Sequence, residues 1–237
     1  MAEKTAEKVS AGDFIRLEYT GRSGGKVFDT TDRELAKQAG VFDENAKYGP
    51  ILVAAGREQV LKGLDEALVG AEVSAERRVS LPPEKAFGHR NPELVRLISL
   101  GEFRKRGIDP APGMVLDLDG TRAFVQSVSG GRVRVDLNHE LADKAVEYSF
   151  KVVERITAAK EKLAALSKEL LPGIPAPALD AAGKAALSVP ASTAKDSDYV
   201  VAKIRFVQQA LMLVPEVKMV TVTEDYEKPA QAKEAAK

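Results

Sequence analysis

The chain contains no cysteine, no tryptophan and only two histidines, His89 and His139. Without thiols it can build neither a disulfide framework nor a thiolate metal site, and a Cys-based nucleophile is excluded. Two imidazoles fifty positions apart make a poor metal site, so both are expected in structural hydrogen bonds and no metal or cofactor is expected. No GxSxG, HExxH, P-loop or EF-hand pattern is present. An excess of charge is missing too: 35 basic residues balance 35 acidic ones, so no overall field recruits nucleic acid or an anionic membrane. No segment approaches the ~20 apolar residues of a spanning helix. The strongest candidate is ALMLV at 210–214, and the opening MAEKTAEKVSAGD lacks the apolar run of a signal peptide. A cytoplasmic location is the expectation. What is present is 44% hydrophobic residues over 237 positions, enough to bury a core in one to three domains.

Along the chain, DFIRLEYTG at 13–21 alternates apolar and polar residues as a half-buried strand does, Gly24-Gly25 makes a turn, and 26–29 reads as the hairpin partner. A short helical stretch around 34–39 stops at Gly40. PILVAAG then reads as a buried strand, and Val60, Leu61, Leu64 and Leu68 recur at helical spacing up to Gly70. Residues 75–81 return as a strand that Pro82-Pro83 ends. Between 89 and 138, LVRLISL and three strands turning at Asp119-Gly120 and Gly130-Gly131 predict a small all-β module. The strand at 146–156 is long enough to rejoin the first sheet, which makes that module an insertion. From 157 onward the order is α-β-α-β: a helix capped by Thr157, strands at 184–190 and 217–224, and a second amphipathic helix between them. About sixty residues form a marginal core, so this layer should pack on something.

One acid fits none of the excluded chemistries. Asp29 in VFDTT follows Phe28 directly, and by itself it reads as the start of an Asx-turn with Thr30 and Thr31. The order of YTG at 19–21, VFDTT at 27–31, GREQVLKGLDEAL at 56–68 and LPPEKAFG at 81–88 resembles the FKBP family of peptidyl-prolyl isomerases. The insertion after AFG and the return through NHELAD resemble the SlyD-like branch with its insert-in-flap domain, in the long archaeal form. That branch usually closes the return motif with glycine where this chain has Asp143.

The resemblance implies an α+β fold, an antiparallel half-barrel sheet wrapped on a short helix, with an inserted small all-β domain and a C-terminal small α+β domain. The expected boundaries are a flexible 1–11, a discontinuous catalytic domain of 12–88 plus 139–156, the insert at 89–138, the C-terminal domain at 157–224 and a flexible 225–237. It implies pocket walls at Tyr19, Phe28, Asp29, Ile51, Val60, Leu61, Leu64, Phe87 and Tyr148. Leu64 stands where macrolide-binding members place tryptophan, Phe87 replaces a tyrosine, and Tyr148 replaces the more usual phenylalanine. The implied activity is X-Pro isomerisation in unfolded or folding polypeptides, with Leu94, Val95, Leu97, Ile98 and Leu100 of the insert gripping clients. Partners are proline-containing unfolded chains and a second copy through the C-terminal domain, with no nucleic acid or membrane. The alternative is a holdase with an inactive pocket.

Overall fold

The computed structural model describes residues 7–190, 193, 197–224 and 226. Its first sheet is organised by β1 (Phe14–Ser23), whose first residues serve different interiors. Ile15 and Leu17 enter one core and Phe14 another. β2 (Lys26–Thr30) and β3 (Ile51–Ala54) both pair antiparallel with one edge of β1, and β9 (Val146–Ile156) pairs with the other. β4 (Glu76–Leu81) closes the order β2-β1-β9-β4. Between β2 and β3 lies α1 (Arg33–Ala39), capped by the Asp32 carboxylate and stopped by Gly40 in the left-handed region.

Under this sheet runs α2 (Lys62–Leu68), with Leu64 and Leu68 buried against Ile15, Leu17, Leu81, Tyr148 and Phe150. The helix is shorter than the apolar spacing suggests. Leu61 is extended, at φ −52° and ψ 137°, so Val60 and Leu61 belong to the loop that leads into it. Gly63 explains the tight seating of α2: a Cβ there would meet Leu81 Cδ2 at 2.6 Å and the Lys85 backbone oxygen at 3.1 Å.

In sequence between β4 and β9 sits a second sheet, β5 (Val95–Ser99), β6 (Val115–Leu118), β7 (Thr121–Ser129) and β8 (Arg132–Asp136), in the order β5-β8-β7-β6. Its interior is Ala123, Val125, Val133 and Val135, closed by Phe103. Phe103 comes from α3 (Leu100–Lys105), a helix that an all-β reading of the segment does not contain. The Ser99 side chain accepts from the Gly101 N–H and turns the strand into that helix at Leu100.

The third layer holds α4 (Ala159–Leu170), β10 (Ala178–Leu179), β11 (Lys184–Val189), α5 (Ser197–Leu213) and β12 (Met219–Glu224), with β11 and β12 parallel. Thr157 does not cap α4. The N-cap is Ala158 with no side-chain bond, and the helix is anchored instead by Lys162 Nζ, which donates to the Gly12 carbonyl at 2.7 Å. The marginal core of this layer is completed by the first sheet: Phe14, Ala54 and Ile156 share one cluster with Leu163, Leu166, Leu187 and Phe206.

The expected flexible start is tied down from residue 8: Lys8 bridges Glu72, and Val9 is buried with its N–H on the Ala71 carbonyl. Residues 1–6 of that stretch, and all of 225–237 except Tyr226, lie outside the described residues. No helix among the described residues is long and apolar enough to cross a membrane.

Candidate functional site

Across β1, β2, β9 and the turn after β4, four aromatic rings form a chain. Tyr19 lies 5.7 Å from Tyr148, Tyr148 5.8 Å edge-on from Phe28, and Phe28 5.7 Å edge-on from Phe87. Pair geometry sets this order. Tyr148 on β9 stands opposite Gly21 on β1, and Phe28 on β2 comes one residue before Asp29, which pairs with the same Gly21. Because Gly21 has no side chain, the Phe28 ring lies flat on that gap; a Cβ there would sit 2.7 Å from Phe28 Cζ. The glycine of YTG is therefore a packing requirement of the phenylalanine in VFDTT.

Tyr19 is held at both ends. Its backbone N–H donates to Thr31 Oγ1 at 3.0 Å, its carbonyl accepts from the Thr31 N–H at 3.0 Å, and its hydroxyl donates to Asp29 Oδ2 at 2.8 Å. Burial pushes the Tyr19 phenol well above its ordinary pKa, and the charge and hydrogen bond of Asp29 push it further. Burial, then the Asp29 charge, does the same to Tyr148. Both hydroxyls thus stay protonated donors. Asp29 itself is exposed at the rim.

All nine expected wall residues converge. Tyr19, Phe28, Ile51, Val60, Leu61 and Phe87 are partly buried and pack against one cluster that contains Leu64 and Tyr148, while Asp29 joins through Tyr19. Leu64 is almost fully buried and Tyr148 nearly so, which makes them floor rather than rim.

Three positioning contacts escaped the sequence reading. Asp65, buried at 4% exposure, accepts from the Gly56 N–H at 2.8 Å and the Glu58 N–H at 2.7 Å. It thereby folds the 56–61 loop back onto α2. The signal was visible as the acid in GLDEAL, but the bond it makes was not. His139 stacks on Phe87 with ring centres 4.2 Å apart and planes 4° from parallel, and its Nδ1 accepts from the Leu141 N–H. Phe87 rides on the turn after β4, where the Ala86 and Gly88 N–H groups both return to the Pro83 carbonyl, and Lys85 ties that turn to Glu66 of α2.

The insert residues expected to grip clients do not share one face. On β5 the period of two sends Ile98 inward with Leu100 of α3 following it, while Leu97 points outward at 63% exposure. Leu94 and Val95 are half-buried. Val95 lies in one cross-strand row with Asp136, Phe124 and Val115, so the open face carries Leu97, Phe124 and Val115. Among the described residues no group of three or more His, Cys, Asp or Glu could hold a metal ion.

Such a site offers apolar and aromatic side chains, a carboxylate bound to a phenol, and the backbone of the loop that leads into α2.

Comparison with known proteins agrees. A family model for FKBP-type peptidyl-prolyl cis-trans isomerase matches residues 5–97, and one described as FKBP26, IF domain, matches residues 96–141. The short-type peptidyl-prolyl cis-trans isomerase of Methanocaldococcus jannaschii is 33% identical over 144 residues, 61% of this chain and 92% of that protein. The FKBP-type 16 kDa peptidyl-prolyl cis-trans isomerase of Escherichia coli is 31% identical over 110 residues, covering 44% and 73%. The FKBP-type isomerase SlyD of Helicobacter pylori is 27% identical over 130 residues, covering 53% and 69%.

Proposed function

The chain belongs to the FKBP-type peptidyl-prolyl cis-trans isomerase family, and from that premise we propose that Tyr19, Phe28, Asp29, Ile51, Val60, Leu61, Leu64, Phe87 and Tyr148 line its catalytic site. Rotation about an X-Pro bond faces a barrier of ~18–20 kcal/mol because amide resonance is lost in the twisted state. Water stabilises the planar, more dipolar amide, so apolar walls that exclude it favour the twisted form. No bond breaks. The reaction therefore needs neither nucleophile nor proton shuttle, in keeping with a chain so poor in His and Cys. The ring chain Tyr19–Tyr148–Phe28–Phe87 supplies the walls. Asp29 orients the Tyr19 hydroxyl, and the Leu61 N–H holds the peptide carbonyl as the bond turns.

The observation that carries this reading is the Tyr19–Asp29 bond beside the four-ring chain. Its test is the isomerisation of a short Ala-Xaa-Pro-Phe peptide. Phe28→Ala should lower kcat/KM by roughly tenfold or more, because a wall is removed. A variant that folds and turns over at the parent rate removes these residues from the site, and a parent at background rate that still suppresses aggregation identifies a holdase.

A second role follows for the insert. Its open face exposes Leu97 at 63% and Phe124 at 47%. It borders a cavity of about 630 Å³ that runs from Val115 and Phe124 to His139, the residue stacked behind Phe87. Unfolded chains held there are presented to the catalytic walls at high effective concentration. The double variant Leu97→Ser, Phe124→Ser should leave tetrapeptide turnover alone and slow the refolding of a proline-limited protein. Equal loss on both substrates would refute the division.

For the C-terminal layer, α5 carries an exposed stripe of Val200, Val201, Ile204, Leu211 and Met212, which supports contact between two copies. Ile204→Glu should convert a dimer to a monomer by light scattering, whereas a parent that is already monomeric ends the idea.

A further inference from the structure

The insert joins the catalytic layer through two segments, 88–91 outgoing and 137–143 returning. One set of contacts at this root is polar and centres on a buried carboxylate. The Asp136 carboxylate, 2% exposed, pairs with Arg90 and accepts from Gln126 Nε2 at 2.7 Å and the Asn138 N–H at 2.9 Å. Asn138 in turn brackets Asn91, accepting its N–H at 2.7 Å and donating to its carbonyl at 3.1 Å. These bonds give the insert a firm root, but they lie within the root itself.

A different contact ties the root to the catalytic layer. His89 Nε2 lies 2.8 Å from Glu84 Oε1, on the turn that carries Phe87, and His89 Nδ1 lies 2.8 Å from Asp143 Oδ1, on the returning segment. A carboxylate oxygen only accepts, so a ring with a carboxylate on each nitrogen must carry a proton on both. Both contacts are hydrogen bonds only when the ring is imidazolium.

Asp143 adds an independent observation. It adopts φ +65°, the left-handed region that L-residues enter at a cost of about 1–2 kcal/mol. Its N–H donates to the Gly88 carbonyl at 2.9 Å, which holds the turn. Glycine would meet the backbone demand without strain, yet it could not supply a carboxylate to His89.

We propose that His89, Glu84 and Asp143 form a protonation-dependent latch that sets the orientation of the insert against the catalytic site. Deprotonation of either nitrogen places a lone pair against a carboxylate oxygen, so one of the two links opens. The charged groups facing His89 are Glu84 and Asp143, and the charge and backbone N–H of Arg90 act in turn on Asp143. The hydrogen bonds to Asp143 and then to Glu84 hold His89 above the ordinary imidazole pKa. With the folded value raised, the latch is closed at low pH and is lost as pH rises through that value. All three side chains are largely exposed. Exposed pairs are weak, so the latch acts on a soft coordinate, the junction angle, and not on the stability of either layer.

The absence of native cysteine makes the test direct. Dyes on Ser129→Cys in the insert and Lys151→Cys in the first sheet report the angle in the full chain by Förster transfer. Transfer should change with a midpoint that coincides with the His89 imidazole titration seen by NMR, and about 1 M salt should mimic high pH. His89→Gln and Asp143→Gly should each hold the high-pH value throughout, with tetrapeptide kcat/KM preserved and the thermal midpoint not lowered. Transfer that is flat between about pH 5.5 and 9, or that titrates unchanged in His89→Gln, overturns the latch. The consequence for clients rests on the open-face reading: refolding of a proline-limited protein should fall roughly threefold as the latch opens. A Förster transition with no change in refolding supports the latch and refutes that reading.

Discussion

Gly21→Ala isolates the packing that holds the Phe28 wall. The new Cβ would stand 2.7 Å from Phe28 Cζ and 3.1 Å from both Cε atoms, against the 3.5–4.0 Å of an ordinary carbon contact, so the ring must retreat by about 1 Å. Retreat toward either flank is resisted, since the ring centres of Tyr148 and Phe87 lie 5.8 and 5.7 Å from its own. Overpacking of this kind costs about 1–3 kcal/mol. Glycine within a strand is otherwise worse than alanine by roughly 0.5–1 kcal/mol, so without the ring clash the same substitution should be neutral or stabilising. A double-mutant cycle separates the two effects. In a Phe28→Leu background, which lacks Cε and Cζ, Gly21→Ala should cost nothing, and the coupling measured by denaturant unfolding should be about 2 kcal/mol. Displacing a wall by 1 Å should also lower kcat/KM for a proline tetrapeptide by roughly tenfold to a hundredfold in the Phe28 chain. Equal destabilisation in both backgrounds would refute the claim that Phe28 is what Gly21 accommodates.

Asp65→Ala strands two backbone donors and should destabilise the chain by about 2–5 kcal/mol, with Asp65→Asn, which keeps one acceptor, roughly half as costly; urea titration checks both. Tyr19→Phe removes a hydrogen bond to a carboxylate, so it should lower kcat/KM severalfold and stability by only about 1–2 kcal/mol in the peptide and unfolding assays. Burial and Asp29 oppose the phenolates of Tyr19 and Tyr148. Folded-state stability should therefore fall as pH rises above about 10, the value for the unfolded chain, and absorbance at alkaline pH should show Tyr19 and Tyr148, together with Tyr199 and Tyr226 beside Glu224, ionising later than in urea.

Local patterning reached much of this architecture because it depends on periodicities of two and 3.6. β1, β3, β4, β9, α4 and α5 all lie where alternation or apolar stripes put them. The failures are equally local in origin. Val60 and Leu61 match helical spacing, yet the Asp65 carboxylate takes the N–H groups of Gly56 and Glu58 and folds that loop onto α2 outside the helix. LVRLISL is mostly apolar as a run, but pairing of β5 with β8 turns Leu97 out and Ile98 in. His139 was legible as a hydrogen-bonding residue, and nothing within a few positions of it announces that Phe87 lies against its ring.

By itself the amino-acid order determined the chemistry that is absent, the strand-and-helix content, and the motif spacing that marks an isomerase. Each of these is written within a window of one element or in residues whose identities alone carry meaning. Tertiary structure alone decided which faces became walls, that Phe14 serves the C-terminal core while Ile15 serves the catalytic one, and that a histidine and an aspartate 54 positions apart meet at the root of the insert. Such contacts form only when distant backbone is brought into register, and their energies depend on a geometry that no local pattern encodes.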